Sequence, residues 1–173
     1  DFFSPFYKTD KPILAIQPHG GPEGLGYQYS WTRDVPSPIV NEVLEYYKES
    51  HTIIHIKRQD QIIYPDTLQA LDGFRSIAIL LQLSDKRLLI DSFAQHMAAA
   101  LNLKSTVCWV STKPEVFGYK LHDNVKAEPF TKEPDLTTAA YNPFNLAQDI
   151  HSIPYNDLNE VFITDKIVTS LNS

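Results

Sequence analysis

Leu88-Leu89-Ile90-Asp91-Ser92-Phe93-Ala94-Gln95-His96-Met97-Ala98-Ala99-Ala100-Leu101 decides the fold. An apolar run ends at an acid and a hydroxyl, and an alanine-rich pattern with helical spacing begins at once. The stretch therefore reads as a buried strand turning directly into a helix. Ala94, Met97, Ala98 and Leu101 share one helical face, and small residues there let the helix lie close on a sheet. The first N–H groups of a helix are unpaired and carry partial positive charge, which suits an anion held by Ser92 and the amides that follow it. Asp91 falls at the carboxyl end of its strand, where α/β sheets hold ligands. His96, one turn into the helix, is a candidate for the same ligand. A purely structural explanation stands beside this one, because Ser92 and Gln95 also fit a Ser-x-x-Gln capping box.

Outward from this stretch, apolar runs alternate with helical patterns. Ile13-Leu14-Ala15-Ile16-Gln17, bounded by prolines, is a first strand. The loop after it, Pro18-His19-Gly20-Gly21-Pro22-Glu23-Gly24-Leu25-Gly26, holds four of the six glycines in the chain. Glycine permits sharp turns and close backbone approach to a ligand, although the loop is not the G-x-G-x-x-G of dinucleotide sites. Arg33-Asp34-Val35-Pro36 leads into a helix that ends at Tyr47, with Ile39, Val43, Leu44 and Tyr47 at helical spacing and Pro36 or Pro38 near its start. Thr52-Ile53-Ile54-His55-Ile56 is β-branched and apolar, a second strand in which His55 reads as a satisfied core or edge histidine. Lys57 and Arg58 follow at its end, either solvated or meeting a nucleotide.

Residues 61–72 predict a short strand at Ile62-Ile63-Tyr64 and a turn of helix. Phe74 to Leu83 is a helix with Ile77, Leu80 and Leu81 on its buried face. Residues 105–110 form the next strand, and Ser111-Thr112-Lys113-Pro114 is a loop at its carboxyl end. Residues 122–154 are irregular and proline-punctuated, and Asn156-Asp157 can cap a last helix carrying Leu158, Val161, Phe162, Val168 and Leu171. The whole predicts a three-layer, Rossmann-like, doubly wound and mostly parallel sheet. The loops after Gln17, Ile90 and Val110 then gather along one edge.

Composition narrows the function. At 173 residues, 43% hydrophobic and 21% charged, the chain is one ordinary globular domain. A net charge of -6 with no Lys/Arg block argues against a general nucleic-acid binder. The single cysteine, Cys108, lies in an apolar run and reads as a small buried hydrophobe that suits a reducing cytosol. No run approaches the length of a transmembrane segment. Residues 1–12, rich in proline and aromatics, read as a linker from a missing N-terminal region, with one domain over residues 13–173.

At this point the residues resemble a family. Asp91-Ser92-x-x-x-His96-x-Ala98-Ala99-Ala100-Leu101 is similar to the D-[ST]-G-x-x-H-x-A-A-A-L signature of glycosyltransferase family 9, which includes the lipopolysaccharide heptosyltransferases. Other blocks follow in the same order. Ile16-Gln17-Pro18-His19-Gly20-Gly21 resembles the family's strand and glycine-bearing loop, and Arg33-Asp34-Val35-Pro36 its K-x-W-P block. Ser111-Thr112-Lys113-Pro114 resembles its G-P-T-x-P loop, and Asn156-Asp157-Leu158-Asn159-Glu160-Val161 its closing helix. The resemblance covers roughly residues 13–172.

Membership implies the C-terminal, donor-binding half of a two-domain GT-B enzyme. The donor is then a sugar on a nucleotide diphosphate, transferred with inversion and without a metal or other cofactor. By position, Ser92, Thr112 and nearby amides would hold the diphosphate, Gly20 and Gly21 would belong to the nucleotide-sugar site, and Arg33 would neutralise charge on the leaving group. Asp91 would hydrogen-bond the sugar, His96 would support the phosphate or sugar side, and the nucleobase would lie near Ile56 and Lys57. A glycan or lipid-linked acceptor, with the general base, would belong to the missing N-terminal domain, so this chain alone is expected to bind and not to turn over. A cytoplasmic location follows, compatible with a place at the inner membrane face. The family's glycine after the acid and hydroxyl is Phe93 here, which carries the alternative of a degenerate, non-catalytic relative that serves binding or scaffolding.

Overall fold

Each short apolar run becomes a strand of one sheet. The computed structural model describes residues 10–20, 33–70, 73–128 and 156–173. Its six described strands are β1 (Ile13–Ile16), β2 (Thr52–Ile56), β3 (Leu68–Ala70), β4 (Lys86–Ile90), β5 (Thr106–Trp109) and β6 (Asp123–Lys126), in the order β3-β2-β1-β4-β5-β6. Every pairing is parallel, with Leu14 opposite Ile53, Ile16 opposite Leu88 and Ile90 opposite Cys108. The central strands are buried along their length because helices cover both faces of the sheet, which is why they read as unbroken apolar runs.

Side chains alternate between the two faces with the period of a strand. Leu14, Ile16, Leu88, Ile90 and Cys108 pack with helices α1 (Ser37–Tyr47) and α5 (Thr164–Leu171). Ala15, Ile54, Leu89, Val107 and Trp109 pack with α2 (Phe74–Leu83) and α3 (Phe93–Ala100). Ala94 and Ala98 are fully buried against that second face, as the small-residue stripe of α3 requires. The Arg87 side chain, nearly buried, closes the far end of α2. Its Nε donates to Leu81 O at 2.7 Å and its Nη2 to Ser84 O, so a cation meets the negative end of the helix.

Four sequence expectations are corrected. Ile62-Ile63-Tyr64 is no strand: Ile62 and Ile63 are exposed, Pro65 follows, and the strand forms instead at Leu68–Ala70. The irregular region after His122 opens with a strand, β6, whose alternately exposed residues hide its character in sequence. The loop after Val110 contains a short helix, α4 (Pro114–Phe117). Asp157 does cap, but it caps a 3₁₀ turn over Leu158–Glu160 by accepting from Asn159 N at 2.8 Å, and α5 starts separately at Thr164.

Candidate functional site

The strand order reverses direction at β1, which lies between β2 and β4. α1 follows β1 on one face and α3 follows β4 on the other, so the chain parts at the carboxyl ends of these two strands and leaves a crevice. The loop after β1 spans that crevice. Gln17 N donates to Leu88 O at 2.8 Å, and Gln17 Nε2 reaches Ser92 Oγ at 3.3 Å. Gly20 passes so close to β4 that a Cβ there would sit 3.1 Å from Ile90 Cδ1 and 3.3 Å from Ser92 Oγ. Asp34 holds the loop from the other side, accepting from Gly20 N at 2.9 Å, while Val35 N donates to Pro18 O. The Arg33-Asp34-Val35-Pro36 block is thus stitched to the glycine-bearing loop.

Ser92 does not act as the capping box predicts. No side chain caps α3; Gln95 N bonds only to the Ser92 carbonyl, and the Gln95 amide turns away to Phe117 O. Gln95 is fully buried, so its side chain packs into the domain and cannot reach back over the helix end. α2 likewise starts at Gly73 without a side-chain cap among the described residues. Both helix starts open on one cleft of about 320 Å³, lined also by Gln17, Gly20, Lys57 and Arg58. Two helix starts with no side-chain cap among the described residues, and two cations on its wall, make this cleft suited to an anionic ligand.

Lys57 is 5% exposed and its ammonium donates to Arg58 O at 2.7 Å. Arg58 pairs with Asp60 at 3.1 Å, where both side chains are about half exposed. Across the cleft, the Phe93 ring meets the exposed Phe74 ring edge to face, with centroids 5.5 Å apart. Phe93 therefore lies on the α2 side and the crevice remains open.

Behind the cleft is a buried polar cluster. His19 Nε2 and Tyr64 Oη are 2.7 Å apart, and Tyr64 donates onward to Ser37 Oγ at 3.1 Å. His19 Nδ1 faces Asp34 Oδ2 at 3.6 Å. His55 packs edge-on to His19, fully buried, and neither ring nitrogen has a partner among the described residues. It is a core histidine, as expected, but not a satisfied one. Burial, followed by the neighbouring His19 and Lys57, lowers its pKa from 6.5 to about 3.

The structure brings together three of the expected site residues, Gly20, Lys57 and Ser92, in the cleft. Asp91 and Arg33 are partly buried and do not line it. Thr112 is buried at the end of β5, its Oγ1 without a partner among the described residues. His96 turns to the opposite side of α3, with Nδ1 3.1 Å from Tyr119 Oη. Gly21 lies outside the described residues, as does most of the proposed linker. Gln17, His19, Phe74 and Phe93 line the cleft and were not among the expected ligand-binding residues, whereas Arg58 was read as either solvated or meeting a nucleotide. Gln17 follows directly on β1, which is the signal that could have found it. Among the described residues no three His, Cys, Asp or Glu side chains are grouped to hold a metal ion, and no helix is long and apolar enough to cross a membrane.

No protein-family profile matches the sequence, and a search of curated proteins finds no significant relative. Solved structures do share the fold. The glycosyl transferase family 9 protein from Veillonella parvula DSM 2008 aligns over 99% of this chain and 48% of its own, with a TM-score of 0.64 and 10% identity. E. coli ADP-heptose lps heptosyltransferase II aligns over 72% of this chain and 41% of its own, with a TM-score of 0.57 and 12% identity. E. coli heptosyltransferase WaaC, solved with ADP, aligns over 69% and 39%, with a TM-score of 0.54 and 14% identity. The chain spans less than half the length of each. Its α/β fold is that of the heptosyltransferase-like glycosyltransferases of family 9.

Proposed function

We propose that the chain is the donor-binding domain of an inverting GT-B glycosyltransferase and takes a nucleotide-diphospho-sugar in the crevice between β1 and β4. The observation that carries this reading is the approach of the Gly20 backbone to Ser92 across the point where the strand order reverses, with Lys57 in the same cleft. A diphosphate there would meet the Ser92 hydroxyl and the N–H groups at the start of α3, with Lys57 towards the nucleoside end of the same cleft. In this reading Asp91 would act on the sugar and Arg33 on the leaving group. In this reading the acceptor, a glycan or a lipid-linked glycan, is held by a domain outside this chain, and the reaction takes place on the cytoplasmic side of the membrane.

Phe93 favours a second reading, a non-catalytic relative that binds or scaffolds. It occupies the first position of α3, where a small residue would leave the helix amides most accessible. Thermal melting with ADP, GDP, CDP, UDP and their sugar conjugates separates the two. Saturation at about a hundred times Kd adds ~2.7 kcal/mol, or roughly 5–10 °C for a chain of this size. A shift of that order, reduced in Ser92→Ala and Arg33→Ala, supports donor binding. No shift with any of these nucleotides supports the scaffold.

A further inference from the structure

We propose that the cleft is built for a nucleotide that carries a phosphate on its ribose as well as at the 5′ position, an inference that rests on the nucleotide reading of the same site. In sheets with the strand order seen here, the carboxyl end of the second strand reads the ribose edge of a bound nucleotide. An acidic residue there accepts from free ribose hydroxyls, and an arginine accommodates a ribose phosphate. In this chain β2 ends in Lys57 and Arg58, and no carboxylate lines the cleft among its described residues.

The two cations differ in how they are held. Lys57, almost wholly buried, is satisfied only by the loop carbonyls of Arg58 and Gln59, at 2.7 and 3.5 Å, and forms no ion pair among the described residues. A buried ammonium without a counter-ion leaves an uncompensated positive wall, which an entering phosphate neutralises. Arg58 is free to turn: its pair with Asp60 is exposed and of the kind worth little in water, so a phosphate dianion competes for it readily. The loop backbone is already fixed, because Arg58 N donates to Gln61 Oε1 at 2.9 Å and Lys57 N to Ala70 O. The start of α2 at Gly73, without a side-chain cap among the described residues, lines the same space. Gln17 also lines the cleft and is 5% exposed, and its buried Oε1 has no partner among the described residues.

Isothermal titration of the whole chain with the 5′-monophosphates of adenosine, guanosine, cytidine and uridine, against their 2′,5′- and 3′,5′-bisphosphates, tests this. One additional charge-assisted hydrogen bond predicts that a bisphosphate binds ~10-fold or more tightly than its monophosphate. That ratio falls towards one in Arg58→Ala, an exposed position that the fold tolerates, and in Lys57→Met. Equal affinity of monophosphates and bisphosphates, or a ratio that survives both substitutions, overturns the inference and leaves the nucleotide site standing. Failure of every monophosphate and bisphosphate to bind overturns both.

Discussion

Acidification should destabilise this domain through His55. The ring lies in β2 with no exposure, and its pKa is held down from 6.5 to about 3. The unfolded chain recovers the ordinary value and takes up a proton that the native state refuses. Stability is therefore unaffected above pH 6.5 and is lost progressively as the pH falls from 6.5 towards 3. Inside that window each pH unit costs about 1.4 kcal/mol, so going from pH 7 to pH 5 costs ~2 kcal/mol. For a chain of this length that is roughly 4–8 °C of Tm. The assay is calorimetric melting at both pH values of the wild type and of His55→Leu, which conserves volume and removes the titrating ring. The fall in Tm between pH 7 and pH 5 should be smaller in the variant by about that amount. Equal falls in the two proteins would refute the argument that His55 is buried neutral and unpaired.

Other expectations concern the crevice and the core. Gly20→Ala places a Cβ 3.1 Å from Ile90 Cδ1, in a fully buried side chain, and 3.3 Å from Ser92 Oγ. It should cost ~1–2 kcal/mol in a urea melt and weaken nucleotide binding. Leu89→Ala empties a fully buried site between the sheet and α2 and α3, at a cost of ~2–5 kcal/mol in the same melt. Cys108 is fully buried and its thiol pKa is pushed well above the ordinary value by burial. A thiol reagent at pH 8 should therefore label it only after unfolding, with one equivalent released in denaturant.

Much of the fold was legible because its central strands are buried on both faces, and such strands announce themselves as short β-branched runs. The strands at the sheet edges were not legible. Leu68–Ala70 has three residues with only one buried, and Asp123–Lys126 alternates charge and amide with a single valine. Nothing in their composition distinguishes them from loop until a neighbour supplies the ladder. Ser92 was legible as a residue of the cleft because it stands where a strand turns directly into a helix, although sequence alone fitted capping equally well. His96 was not, because its direction depends on Tyr119, more than twenty residues away in sequence. Phe93 was legible as a departure from the family's glycine. That its ring lies against Phe74 and leaves the crevice open follows from the packing of α2 on α3, which sequence does not report.

The central claim is that a nucleoside diphosphate occupies the cleft between β1 and β4. Amide hydrogen exchange, measured with and without a saturating nucleoside diphosphate, tests that claim most directly. A nucleotide bound there slows exchange in residues 17–20, 57–61 and 92–95 and leaves the far end of the sheet at residues 123–126 unchanged. Unchanged exchange in those three segments at saturating ligand, or protection confined to other parts of the chain, would contradict it.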